Sequence, residues 1–300
     1  MDSLRPPDSR RKKILLTGGT GYLGSNILNS LSGKYDFIVL KRKQSKLTRI
    51  ADPGGIYRMA YIEEFDENVV SDIEIDLLLH CATHYGRRDT DAVNTIESNL
   101  LLPLRLLALL KKTNKKVKFI NTDTILDKHI NVYSLSKSQF KEWMIFFSAE
   151  ISFINVRLEH FYGPLDDSTK FVSYLIQNFL KNIPELNLTN GEQYRYFTYI
   201  DDIVSAFELV IDSIDTLPSG LTQFDVSADD AIQLKSFVNT VKRICSNEQT
   251  RLNFGALPYR EGESMKFTVD TANIQRLGWR PKITLEEGLR RTIEIDRRNL

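Results

Sequence analysis

Cysteine is nearly missing from these 300 residues, with Cys81 and Cys245 the only two. Two isolated thiols make neither a disulfide framework nor a metal-ligand spacing, which suits a reducing, cytoplasmic setting and no bound metal. An excess of charge is missing too. Forty Lys and Arg stand against 39 Asp and Glu, a net charge of +1. No global field then recruits nucleic acid or an anionic membrane, and an anionic ligand must be held by local groups. Nothing resembles a secretory signal: Met1 to Lys13 is polar, carries Pro6-Pro7 and Arg10-Arg-Lys-Lys13, and has no apolar core. Residues 1–12 read as a disordered leader with a solvated basic run. The most apolar stretch, Leu100 to Leu110, is interrupted by Pro103 and Arg105 and reads as too short to span a bilayer. Repeats and low-complexity tracts are absent. What is left is a soluble chain long enough for one large domain or two smaller ones.

Against that background one stretch stands out, Lys13-Ile-Leu-Leu-Thr-Gly-Gly-Thr-Gly-Tyr-Leu-Gly24. Ile14 to Leu16 predict a short buried strand. Tyr22, Leu23, Ile27, Leu28 and Leu31 then fall at helical spacing. Strand, glycine turn and helix are the context of a dinucleotide-binding fingerprint. Gly18 serves the tight turn, Gly21 lets the main chain approach a pyrophosphate, and Gly24 allows close helix packing at an electropositive helix start.

Further along, Phe37-Ile-Val-Leu40 predicts a second strand, ending in Lys41-Arg42-Lys43. NAD binders place an acid about 20 residues past the glycines; this chain places cations there. Lys41 and Arg42 suit a 2′-phosphate, so NADP(H) is the expected cofactor. Ile73 to Leu79 predicts a strand, Leu100 to Lys112 a helix and Val117 to Ile120 the central strand. Alternation of strand and helix to about residue 160 implies an α/β, doubly wound parallel sheet of the Rossmann kind. The second half is mixed: a strand at Ile154–Arg157, a helix at Phe171–Leu180, a polar turn-rich stretch from Asn187 to Thr198, and helices at Asp201–Ile211 and Glu286–Arg298. We expect a Rossmann domain over 13–162 and a smaller α+β substrate-binding lobe over 163–300, some of whose segments return to the sheet.

Tyr133-Ser-Leu-Ser-Lys137 places a phenol and an ammonium on one helix face. A phenol titrates near pH ~10, and a neighbouring cation favours the phenolate. Tyr133 can then exchange a proton with an oxygen whose carbon gains or loses hydride. Asn121-Thr-Asp-Thr124 follows the central strand and offers two hydroxyls, Thr122 and Thr124.

These segments resemble the extended branch of the short-chain dehydrogenase/reductases. Thr17-Gly-Gly-Thr-Gly-Tyr-Leu-Gly24 is similar to its glycine motif, and His80-Cys-Ala-Thr83 to its segment along the cofactor. Arg157-Leu-Glu-His-Phe-Tyr-Gly-Pro164 resembles Arg-x-x-Asn-x-Tyr-Gly-Pro, with His160 in place of asparagine. Gly191-Glu-Gln-Tyr-Arg-Tyr-Phe-Thr-Tyr-Ile-Asp-Asp202 resembles the family's diphosphate-clamp segment, and Arg260-Glu-Gly-Glu263 its later Arg-x-Gly-Asp. The resemblance implies Tyr22, Leu23, Cys81, Ala82, Thr83 and Lys137 beside the cofactor, Thr83, His84, Tyr85, His160, Arg195 and Arg260 beside the substrate, and a hydroxyl on the reacting carbonyl from Thr122, with Thr124 the alternative. Two guanidinium forks suit a diphosphate.

Asn121-Thr-Asp, Arg157-Leu-Glu-His, Gly191-Glu-Gln, Phe254-Gly-Ala and Leu277-Gly-Trp-Arg-Pro281 further resemble the nucleotide-sugar 4-ketoreductases of the CDP-abequose synthase type. What this implies is NADPH-dependent reduction of the C4 ketone of a nucleotide-linked 4-keto-6-deoxy or 3,6-dideoxy hexose, in O-antigen or deoxysugar biosynthesis, by a protein able to form a homodimer. Threonine at 124, where the family's dehydratases carry glutamate, argues against dehydration. A nucleotide-sugar 4-epimerase and a non-catalytic, cofactor-sensing Rossmann regulator are the alternatives. The cations at 41 and 42 count against the first, the Tyr133–Lys137 pair against the second.

Overall fold

The computed structural model of the chain describes residues 10–52, 57–86, 92–113, 117–260 and 262–300. Residues 1–9 of the expected leader, and Glu261, lie outside that set.

The chain opens with β1 (Lys13–Thr17), α1 (Tyr22–Leu31), β2 (Asp36–Lys41) and β3 (Tyr57–Tyr61). Next come α2 (Glu67–Asp72), β4 (Leu77–His80), α3 (Ala92–Ile96), a π-helical turn at Glu97–Leu101 and α4 (Leu102–Lys112). β5 (Lys118–Thr124), α5 (Val132–Phe147) and β6 (Phe153–Leu158) follow. The second half carries β7 (His160–Tyr162), α6 (Phe171–Leu180), β8 (Glu185–Leu188), β9 (Tyr194–Arg195), β10 (Phe197–Tyr199) and α7 (Ile200–Ser213). It ends with β11 (Leu221–Val226), β12 (Ile232–Gln233), α8 (Leu234–Ile244), β13 (Arg251–Phe254), α9 (Ala272–Arg276) and α10 (Leu285–Arg298).

Seven strands form one sheet in the order β11-β6-β5-β4-β1-β2-β3. The registered pairs β1·β2, β1·β4, β2·β3 and β4·β5 are all parallel. The order reverses beside β1: the chain first winds out to β3, then returns to lay β4 on the other side. Ligands of such sheets bind beyond the carboxyl ends of the strands at this switch point. Strands buried on both faces read as continuous apolar runs, and Ile14, Leu15, Leu16, Leu78 and Leu79 are all fully buried.

By contacts the chain divides into two compact units. The first comprises residues up to 122 with 135–155 and 214–222, and holds most of the large sheet. Its core joins Leu15, Leu40, Leu78, Phe119, Phe140 and Phe153. The second comprises 123–134, 156–213 and 223–300, with the two-stranded pairs β7·β10, β9·β12 and β8·β13. Phe197 stacks on Phe237 at 3.8 Å in its interior, and Gly288 lets α10 pass the Tyr162 hydroxyl, which donates to the Leu285 carbonyl at 3.0 Å.

Four sequence readings are corrected. The strand expected from Ile73 begins only at Leu77, because Ile73 closes α2 by donating to the Val70 carbonyl. The helix expected from Leu100 starts at Ala92 and runs 21 residues to Lys112, apolar and long enough by composition to cross a membrane, with mean hydropathy 1.3. Pro103 sits near the start of α4, just past the π turn, which accommodates the residue that cannot donate to an i−4 carbonyl. Leu106, Leu107 and Leu110 bury this helix in the core of the first unit. The turn-rich stretch from Asn187 contains β9 and β10 and the end of β8. The basic run at 10–13 is ion-paired rather than merely solvated: Arg10 meets Asp76 at 2.6 Å and Glu74 at 3.1 Å, and Lys12 pairs with Asp215.

Candidate active site

β1 gives way at Gly18 to a left-handed turn, φ +71°. A Cβ here would lie 2.5 Å from the Ala82 nitrogen, so the turn rests on the backbone leaving β4. At Gly24 a Cβ would fall 2.3 Å from the Gly18 oxygen, and α1 reaches the turn only without one. Gly21 is different: exposed, with just the Gly18 oxygen, 3.2 Å away, facing a would-be Cβ. As the N-cap of α1 it supplies no side-chain cap, and no acid stands in the first turn. Tyr22, Leu23 and Gly24 therefore begin a helix whose first amides lack intrahelical acceptors and whose positive end lacks its own carboxylate. That cradle fits a dinucleotide pyrophosphate.

The β4 end completes it. Thr17 Oγ1 lies 2.8 Å from His80 Nδ1 and accepts the Ala82 N–H at 3.3 Å, fastening the two strand ends together. His80 is fully buried, with ring centres of Phe119 and Phe140 at 6.1 and 6.2 Å. Burial, then the Lys137 charge, hold its pKa well below the usual imidazole value. Burial pushes the Cys81 thiol up to about 12 against the opposing pull of Lys137. Both groups line the ammonium in neutral form.

Lys137 is 1% exposed and donates from Nζ to the Thr122 carbonyl at 2.8 Å. Tyr133, half-buried, stands one turn earlier on α5. The helix start is set by Asn131 and Ser134, whose side chains and backbones exchange hydrogen bonds of 2.8 to 3.3 Å. The Thr122 hydroxyl donates to the His80 carbonyl at 3.0 Å. Thr124 Oγ1 accepts from the Leu126 N–H at 3.2 Å, which leaves its own proton available to donate.

Asn99, in the π turn, escaped the sequence reading. Wholly buried, its Oδ1 accepts from the His84 N–H and the Thr83 hydroxyl, and its Nδ2 donates to the His84 carbonyl and to Ser136 Oγ. One amide thus holds the loop after β4 against the helix residue preceding Lys137. The signal was present: a carboxamide inside an otherwise apolar helical run. His84 Nδ1 also lies 3.0 Å from Thr95 Oγ1, while Tyr85 is 37% exposed.

Past β2 the two cations part company. Lys41 is 7% exposed, with Nζ donating to the Arg42 and Lys43 carbonyls at 3.2 and 3.4 Å and lying 4.8 Å from the Tyr61 ring centre. Arg42 is exposed. Lys43 pairs with Glu64 at 2.5 Å.

The second unit gathers another set. Arg195, 6% exposed on β9, donates to the Tyr194 carbonyl at 2.7 Å and to the Glu263 carboxylate, and lies 4.6 Å from the Phe267 ring centre. Burial lowers its pKa, and Glu263 and Glu159 partly restore it. Glu159, another residue the sequence left unassigned, accepts the Tyr196 N–H at 2.8 Å and lies 3.1 Å from His160 Nδ1. His160 is thereby oriented with Nε2 away from the carboxylate. The Arg260 side chain is exposed, and its carbonyl accepts the Glu263 N–H at 3.0 Å.

A shallow cavity of ≈ 320 Å³ lies elsewhere, lined by Arg10, Lys12, Ile75, Asp76, Lys118 and Asp215. It sits where β1, β4 and β5 begin, the end of the sheet opposite the glycine turn, and its charges are already ion-paired.

The chain is similar to known proteins in sequence and in fold. A family model described as NAD dependent epimerase/dehydratase matches residues 14–223. CDP-abequose synthase of Salmonella muenchen is 32% identical over 294 residues, 95% of this chain and 98% of that protein. The UDP-glucose 4-epimerase of Thermotoga maritima, solved with UDP-glucose, superposes with a TM-score of 0.83 at 23% identity, over 96% of this chain and 99% of that one. The UDP-glucose 4-epimerase of Thermus thermophilus, solved with NAD, gives 0.79 at 18% identity over 96% and 100%. At those identities the two structures bear on fold alone.

Proposed function

Because this chain belongs to the NAD dependent epimerase/dehydratase family, within the extended short-chain dehydrogenase/reductases, we propose that it reduces the C4 ketone of a nucleotide-linked 4-keto-6-deoxy or 3,6-dideoxy hexose, using NADPH. The observation that carries this reading is the Tyr133–Lys137 pair on α5, with Lys137 buried and tied to the end of β5. The similarity to a CDP-abequose synthase supports the substrate class, and our reading extends to a place in O-antigen or deoxysugar synthesis in the cytoplasm.

Gly18, Gly21 and Gly24, with the first amides of α1, would hold the pyrophosphate. Arg42 would meet a 2′-phosphate, and Lys41 would shape the loop that carries it. When bound, the reduced nicotinamide supplies the hydride. Tyr133 gives its proton to O4, so no free alkoxide forms. Lys137 sets the charge beside the phenol and would hold the nicotinamide ribose. A threonine hydroxyl, Thr122 or Thr124, holds the ketone oxygen, while Arg195 and Arg260 take the diphosphate and His160 a polar group of the substrate.

A second copy is the macromolecular partner in this reading. Phe146 is 72% and Trp143 42% exposed on one side of α5, with ring centres 6.0 Å apart. Light scattering that returns a single-chain mass at micromolar concentration would remove that part alone.

The deciding experiment follows NADPH oxidation against CDP-, dTDP-, GDP- and UDP-linked 4-ketosugars. Turnover of one or more is expected. Interconversion of 4-hydroxy epimers with no net NADPH consumption would instead establish an epimerase.

A further inference from the structure

We propose that Glu263 is a latch on the diphosphate site: its carboxylate holds Arg195 Nη2 in place of a phosphate, and substrate binds by exchange with it. This rests on the reading of Arg195 as a diphosphate ligand.

Arg195 has 7% of its side chain exposed, whereas Glu263 has 21%. The arginine is thus the inner member of the pair and the carboxylate the outer, the side from which a ligand arrives. The remaining surroundings of the guanidinium are fixed. Nη1 is spent on the Tyr194 carbonyl, and the Phe267 ring lies against the cation. A second acid, Glu159, also acts on Arg195, but its oxygens serve the Tyr196 N–H and His160 Nδ1 and its side chain is 1% exposed. It is structural furniture for the strand and cannot leave cheaply.

Charge then decides the order of events. Two carboxylates already face one guanidinium. A diphosphate adds at least two further negative charges, and like charges at close range are costly in a partly desolvated site. Exchange of Glu263 for phosphate keeps the buried cation paired throughout, which a buried ion requires. The cost is affinity: every ligand must displace an internal competitor. Anions that accept less strongly than the carboxylate gain nothing by doing so, which makes Glu263 a specificity residue as well.

Calorimetric titration of the full-length protein with CDP tests this. Glu263→Gln keeps the side-chain size and drops the charge, so CDP should bind about tenfold tighter. KM for the nucleotide sugar should fall without a rise in kcat, since the change concerns binding alone. Glu263→Asp, whose shorter carboxylate grips less well, should lie between. Arg195→Ala should lose CDP affinity in either background. NADPH binding and thermal melts report that each variant folds, and if Glu263→Gln does not, Glu263→Asp alone decides. Unchanged or weaker CDP binding by the Glu263 variants, with affinity still lost in Arg195→Ala, overturns the latch and leaves the diphosphate site standing. Unchanged CDP binding by Arg195→Ala removes the site itself, and the latch with it.

Discussion

Lys137, buried to 1% exposure, donates from Nζ to the main-chain carbonyl of Thr122 at 2.8 Å. The pairing joins the middle of the candidate catalytic helix to the carboxyl end of the central strand. Beside it, burial holds His80 and Cys81 neutral.

Replacing Lys137 by methionine keeps the stem and removes that donor. A buried carbonyl left unpaired costs about 1–3 kcal/mol, so Lys137→Met should lower the midpoint of denaturant unfolding. It should also depress kcat and move its pH profile, because Tyr133 loses its cationic neighbour. A variant with wild-type turnover and an unchanged profile would make Lys137 a structural residue only.

The loop after β2 yields a sharper cofactor prediction than its sequence did. Lys41 spends its ammonium on the carbonyls of its own loop and on Tyr61, leaving Arg42 as the exposed member. Arg42→Ser should raise KM for NADPH with little change in kcat, as loss of uniform binding does, and should leave NADH use nearly untouched. Lys41→Met should loosen the loop and weaken both cofactors. Equal use of NADH and NADPH by the parent protein would dispose of the preference altogether.

What was legible in the sequence was what is local along the chain. The glycine turn, the Tyr133–Lys137 spacing and the succession of strands and helices each lie within a few residues of one another. Partners joined by tertiary structure were not legible. Asn99 finds Ser136 across 37 positions, and Arg195 finds Glu263 across 68. The motif around residue 260 was visible, but not that its acid would turn onto the first arginine. Lys41 shows the same limit: its place after the strand was readable, while its attachment to Tyr61 depends on the register of the next strand.

Acid should weaken the fold through His80. Its folded pKa is depressed well below the ordinary value by burial first and Lys137 second. The unfolded chain binds a proton at His80 near pH ~6.5, which the folded ring does not. The associated stability is therefore complete above that pH and declines as pH falls through it, by up to ~1.4 kcal/mol per unit until the folded value is reached. Denaturant midpoints measured at about pH 7 and about pH 5.5 should fall more in the parent than in His80→Gln. Equal losses in the two proteins would mean that the ring takes up its proton without unfolding.

Tyr133 carries the most exacting test. Tyr133→Phe keeps the ring at the start of α5 and removes the one proton the mechanism needs, so kcat should drop by about 10²–10⁴ while NADPH binding and the thermal midpoint hold. The threonines then separate by what their hydroxyls can do. Thr122 gives its proton to the His80 carbonyl, and to donate to a ketone it must rotate away. Thr124 accepts from the Leu126 N–H and keeps its proton available. If Thr122 holds the ketone, Thr122→Val lowers kcat and Thr124→Val does not; the reverse result transfers the role to Thr124. An epimerase would lose activity with Tyr133 as well, so the assay must follow net NADPH consumption with a 4-ketosugar. Reduction by Tyr133→Phe at the parent rate would end the proton-transfer role, whatever the threonines do.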